Sequence, residues 1–259
     1  MTATGVLICG HGSREATAVR EFRVLAGQVA ARLPQFRIET GFLEFSTPSI
    51  PDGLEKLRQI GCRNILVIPG TLFSGGHAQR DIPAILQAFV AQFPEIRVRY
   101  GQAFDIHPDF VRAACERVSD AIDTAYGGIA PEETAMLMVA RGASDPEVLA
   151  SVRTISRHIH IAFNFAHSDV AFSGMASPLF SSVLERIAEH DFRRVIILPY
   201  FLFTGTLVQR IYDGVDEIAA SHPEKQFLKC PYLSNHPSVI DGFIARIVET
   251  GQTGMVMHG

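Results

Sequence analysis

The chain has no tryptophan, only four cysteines, and charged residues at just 19% of its length. Cys9, Cys62, Cys115 and Cys230 stand far apart and form no CxxC pair, which argues against a disulfide framework, an iron–sulfur centre or a zinc ribbon. They are expected to be reduced, structural thiols of a cytoplasmic protein. No apolar run approaches the ~18 residues of a membrane span. The opening MTATGVLICG lacks a basic segment followed by a long apolar stretch, so it reads as the lead into a strand and not as a signal peptide. Neither sign of charge dominates: 23 Lys and Arg against 27 Asp and Glu leave a net −4. That balance argues against nucleic acid or an anionic membrane as the main partner. GxSxG, Walker A, GxGxxG and HExxH motifs are all missing, so the sequence carries no marker of those hydrolase, nucleotide or zincin chemistries.

What is present is an internal repeat. Leu7–Gly12 (LICGHG) matches Leu137–Gly142 (LMVARG), and Phe42 and Pro48 match Phe172 and Pro178. Asn64–Arg80 matches Arg194–Arg210, with every pair at the same offset of 130. His107-Pro108 matches His236-Pro237 with one residue deleted. The chain is therefore a duplication of one unit.

Each copy alternates short apolar runs with helical patterns. In the first, strands are expected at Val6–Cys9, Arg37–Phe45, Ile65–Pro69 and Arg97–Tyr100. Helices are expected at Arg14–Leu33, Pro48–Ile60, Gln79–Phe93 and Pro108–Thr124, the last with proline in its first turn. Strands separated by helices imply parallel βαβ units. The predicted fold class is α/β, with two tandem doubly wound domains built on mainly parallel four-stranded sheets. Their expected limits are 1–125 and 134–259, joined by a Gly- and Pro-containing linker over 126–133.

In open parallel sheets, ligands bind beyond the carboxyl ends of the strands. Three ionisable residues fall there in the first copy: His11 after strand one, Glu44 closing strand two and His77 after strand three. If strand one lies between the other two, neighbours are ~5 Å apart and the three side chains can converge. Two imidazoles and a carboxylate suit a divalent first-row metal and leave coordination positions open. The second copy acts as an internal control. At the offset of 130, His11 becomes Arg141, Glu44 becomes Gly174 and His77 becomes Leu207, while the strands and Gln209-Arg210 persist. One polar set has been lost as a unit. Among the other histidines, His158 and His160 at a helix end read as solvated or capping residues, His107 and His236 before helix-starting prolines as structural, and His258 as part of a frayed terminus.

The segments LICGHGSRE, GFLEFSTPSI and VIPGTLFSGGHAQRDIP resemble the class II chelatases, in particular sirohydrochlorin cobalt chelatases of the longer, two-domain type. The resemblance implies insertion of a divalent ion, Co²⁺ first, with Ni²⁺ or Fe²⁺ as further possibilities, into a tetrapyrrole held between two α/β domains. It implies His11 and His77 as metal ligands and proton acceptors, with Glu44 as the acidic partner. The metal is a substrate, and no organic cofactor is implied. Sirohydrochlorin carries many carboxylates, so Ser13, Arg14, Ser74 and Arg80 of the first copy, and Arg141 and Arg210 of the second, are expected to bind it. A monomer with an internal pseudo-dimer, or a homodimer, fits the duplication. Competing readings are a metal or tetrapyrrole carrier, a His/His/Glu metal-dependent hydrolase, and a two-domain module closing on a small anion.

Overall fold

The computed structural model describes residues 4–75, 80–174 and 176–258. The first copy runs β1 (Thr4–Gly10), α1 (Ala16–Arg32), β2 (Arg37–Phe42), α2 (Ile50–Gln59), β3 (Asn64–Pro69), α3 (Ile82–Gln92), β4 (Arg97–Tyr100) and α4 (Pro108–Asp123). After a 3-10 turn at Pro131–Glu133, the second runs β5 (Thr134–Ala140), α5 (Pro146–Phe163), β6 (His167–Phe172), α6 (Phe180–Glu189), β7 (Arg194–Pro199), α7 (Thr206–Ser221), β8 (Gln226–Lys229) and α8 (Pro237–Thr253), followed by β9 (Met255–Val256).

Both sheets place their first strand centrally, in the orders β2-β1-β3-β4-β9 and β6-β5-β7-β8. All pairings are parallel except that of β9, which lies antiparallel on β4. The first sheet therefore has five strands where four were expected. The addition is two residues long and too short to show in a hydrophobic pattern. The central strands are buried on both faces, which explains their unbroken apolar runs. Val6 to Cys9 and Ala135 to Val139 are fully inaccessible. On one face of the first sheet, Leu7 and Cys9 join Leu54, Leu57, Leu86 and Val98 in a single cluster.

The chain divides into two compact units, but not at the repeat boundary. Residues 1–105 and 239–259 form one unit, and 106–238 the other. The two copies have exchanged their last helices. In the first unit α8 supplies Phe243, whose ring centroid is 4.6 Å from that of Phe104, and Asp241, which accepts from Arg32 of α1 at 2.7 Å. In the second unit α4 packs against β7 and β8. The expected limits of 1–125 and 134–259 follow the repeat, whereas the compact units divide after residues 105 and 238. A repeat fixes where each copy starts and stops, but α4 and α8 both begin at His-Pro, and neither says which sheet it will cover. Phe243 is fully buried, so Phe243→Ala should cost about 3–5 kcal/mol, read as a lower unfolding midpoint.

Local chemistry sets the element ends. α2 starts at Ile50 and not at Pro48, because Ser49 caps it: Asp52 N donates to Ser49 Oγ at 3.3 Å and Ser49 N donates back to Asp52 Oδ2 at 2.8 Å. This is a reciprocal capping box. His107 and His236 take the structural role expected of them, each accepting at Nδ1 from the backbone N–H two residues on, at 3.3 Å.

All four cysteines are free thiols, and only Cys115 is partly exposed. Burial pushes all four thiols up, Cys230 to about 12. A reagent must also reach the sulfur, so an alkylating reagent at neutral pH should label the partly exposed Cys115 first and the others only after unfolding. Mass spectrometry of the native, labelled chain checks this, and rapid labelling of Cys9 would contradict it. Among the described residues, no helix is long and apolar enough to cross a membrane.

Candidate metal site at the strand ends of the first repeat

The register of β1 on β2 pairs Gly10 with Phe42. The ladder continues beyond both strands, with Leu43 N donating to Gly10 O and Glu44 N donating to His11 O, each at 3.0 Å. His11 and Glu44 are thus side by side by backbone pairing alone. His11 Nε2 lies 3.2 Å from Glu44 Oε1. Both are reachable from solvent, the imidazole at 32% and the carboxylate at 42% exposure. Two N/O donors meeting at one exposed point can share a proton or a metal ion. Gly12 makes the approach possible: its φ of +93° is left-handed, and a Cβ there would overlap the Glu44 carbonyl oxygen.

The third strand end is prepared by a different device. Gly70 N donates to Cys9 O at 2.7 Å, carrying the chain out beside β1. Ser74 is then held by Asp105, with Oγ donating to Oδ2 at 2.7 Å and N donating to Oδ1 at 3.1 Å. His77 lies outside the described residues, so the convergence of all three candidates stands as a proposal. Among the described residues, no group of three His, Cys, Asp or Glu side chains is placed to hold a metal.

The expected substrate residues divide. Ser13 and Arg14 adjoin His11, and Ser13 is tied into the site: its N donates to Ser46 Oγ at 3.1 Å, and Ser46 Oγ donates to Ser13 O at 3.0 Å. Arg14 is exposed, with Cζ 4.9 Å from the centroid of the Phe45 ring. Ser74 is part of the Asp105 anchor, and Arg80 is exposed just before α3. In the second unit Arg141 is exposed at the end of β5 and Arg210 is exposed on α7. That unit repeats the backbone without the donors. Ser173 N donates to Ala140 O at 2.9 Å, as Leu43 does to Gly10, yet Gly174 offers no carboxylate and Leu207 sits in the first turn of α7. His158 is exposed and His160 half-buried, two positions apart in α5, so their side chains leave the helix in different directions and do not act as a pair.

Ser46, Phe45 and Asp105 escaped the sequence reading. A signal for the first existed, since at the offset of 130 Ser46 becomes Ala176. A groove beside the site is lined by Ser13, Arg14, Val19, Arg23, Phe45 and Ser46 among others, with no Asp or Glu among the described residues that line it.

Comparison with known proteins identifies the family. The chain is 29% identical over 235 residues to a sirohydrochlorin cobaltochelatase of Priestia megaterium, covering 90% of this chain and 76% of that one. It is equally 29% identical, over 245 residues, to a sirohydrochlorin ferrochelatase of Bacillus subtilis (strain 168), covering 95% of this chain and 91% of that one. The solved structure of SirB from Bacillus subtilis with Fe³⁺ superposes with a TM-score of 0.86 at 28% identity, over 97% of this chain and 98% of that one. The family model described as CbiX matches twice, over residues 5–121 and 135–250, and the chain belongs to the CbiX family.

Proposed function

We propose that this chain is a chelatase that inserts a divalent metal, Co²⁺ in the first place, into sirohydrochlorin. The observation that carries the reading is the His11–Glu44 contact of 3.2 Å at neighbouring strand ends, together with its replacement by Arg141 and Gly174 in the second copy. The relatives named above bear the names of this activity, one with cobalt and one with iron.

The chemistry asks for such residues. Insertion removes two N–H protons from the macrocycle while the metal sheds its water. A neutral imidazole can bind the ion or accept a proton near neutrality, and Glu44 beside it can position the ion or take up the proton. His77 is proposed as the third member. N/O donors suit an ion that must leave again, where thiolates would retain a soft or borderline metal. Ser13, Arg14, Arg80, Arg141 and Arg210 are proposed to receive substrate carboxylates, while Ser74, whose N–H and O–H are both donated to Asp105, is proposed to hold the loop at the third strand end; the reaction is proposed to run in the cytoplasm.

Metal-free protein at substoichiometric concentration, given sirohydrochlorin with Co²⁺ or with Fe²⁺ under anaerobic conditions, tests the reading through the visible spectrum. Many turnovers, faster with Co²⁺, are expected. Faster turnover with Fe²⁺ would replace cobalt by iron. A shift that stops at one equivalent would identify a carrier, and no shift at all would overturn the proposal. Arg141→Ala should raise the apparent KM more than it lowers kcat, because a carboxylate contact remote from the metal acts mainly in the ground state. Arg141→Lys should restore only part of the affinity, since an ammonium lacks the planar fork. Steady-state kinetics check both, and an unchanged KM in the alanine variant would make Arg141 an ordinary surface charge.

A further inference from the structure

Phe45 combines exposure with an unusual backbone. Its side chain is large and apolar, yet the residue is 54% exposed. Its φ is +59°, a left-handed conformation that bulky residues rarely adopt. The neighbours hold it there: on one side Glu44 N is bonded to His11 O, and on the other Ser46 Oγ is bonded to the backbone of Ser13 in both directions. The result is an aromatic ring presented to solvent with its centroid 6.3 Å from the His11 ring and its plane 25° away. The Arg14 guanidinium lies against it. Strain retained beside a reactive group, and enforced from both sides, points to use.

We propose that Phe45 is a substrate-contact residue that receives a face of the tetrapyrrole edge-on, while Arg14 takes one of its peripheral carboxylates. The inference rests on the chelatase reading and deepens it. The orientation follows from the coordination chemistry. An imidazole that passes a metal to the centre of a planar macrocycle directs its lone pair along the macrocycle normal, so the imidazole plane stands upright on the macrocycle. Phe45, nearly parallel to that imidazole, also stands upright. An upright ring meets a π-face with its positive edge, one of the favoured aromatic geometries. Arg14 and Arg23 line the adjoining groove, which carries no Asp or Glu among the described residues that line it, and guanidinium is suited to carboxylate.

Titrating metal-free sirohydrochlorin into the full chain, with its absorption spectrum as the readout, tests this without turnover. Phe45→Ala should weaken binding roughly 10-fold, the equivalent of about 1.4 kcal/mol, while Co²⁺ affinity stays at the wild-type value because no metal donor is lost. Phe45→Tyr, which keeps the ring, should restore tetrapyrrole affinity. Phe45→Gly separates contact from structure: glycine accepts the positive φ, so its unfolding midpoint should equal or exceed that of Phe45→Ala while tetrapyrrole binding remains weak. Wild-type tetrapyrrole affinity in both the alanine and glycine variants would overturn the inference and leave the chelatase reading intact. A wild-type chain that binds no tetrapyrrole would overturn both.

Discussion

Replacing His11 with alanine should lower the rate of metal insertion by ~10²-fold or more, the scale on which loss of a ligand or base acts, with little change in thermal stability. The imidazole is partly solvated, and the backbone bond that fixes the loop uses the His11 carbonyl and not its side chain. Nothing in the core is disturbed by removing the ring. Glu44→Gln, which keeps the shape and removes the charge, should fall in the same direction, and so should His77→Ala if the third strand end completes the set. Initial rates at saturating Co²⁺, with a melting curve for each variant, decide the matter. Near-normal turnover in His11→Ala would remove this residue from the mechanism.

The second large effect concerns a residue without a side chain. Gly12→Ala should destabilise the fold by roughly 2–6 kcal/mol, combining backbone strain of about 1–3 kcal/mol with overpacking of about 1–3 kcal/mol. The new Cβ would overlap the Glu44 carbonyl oxygen, which is backbone and cannot rotate away. Relief requires the β2–α2 loop to move, and Glu44 moves with it, away from His11. Gly142 supplies the matched control. It occupies the same place in the second copy, with φ +88°, and a Cβ there would overlap the Gly174 carbonyl oxygen. Gly142→Ala should therefore cost comparable stability, yet per folded molecule it should retain Co²⁺ binding, which Gly12→Ala should lose. Denaturant unfolding and metal titration on the two variants check the contrast. Equal loss of metal binding in both would mean that the second unit carries metal-handling residues after all.

Much of this could be read from the sequence because parallel sheets leave little freedom. An apolar run such as Val6–Cys9 reads as a buried strand, and the helices on either side imply parallel neighbours. Once β1 lies between β2 and β3, the residues just past their ends are adjacent, so the pairing of His11 with Glu44 followed from spacing alone. The duplication sharpened this by showing which polar residues the fold can do without.

Other features depend on contacts that spacing does not encode. The exchange of α4 and α8 is invisible because both helices have the same start and similar amphipathic faces, and the choice is made by tertiary partners such as Phe104 with Phe243. A fragment ending at residue 125 would leave the first sheet without α8 and β9, so the repeat boundary is a poor place to cut the chain. β9 is too short to carry a pattern. The left-handed backbone of Phe45 is equally silent, because a phenylalanine in LEF announces an ordinary strand end, and only the Ser13–Ser46 clamp turns it outward.

The central claim is that one copy of the duplication handles the metal and the other has given up that role. Calorimetric titration of Co²⁺ into the metal-free chain of 259 residues tests it most directly, run beside the His11→Ala and Arg141→Ala variants. One site per chain is expected, lost in His11→Ala and retained in Arg141→Ala. Two equivalent sites per chain, or a single site that survives His11→Ala unchanged, would contradict it.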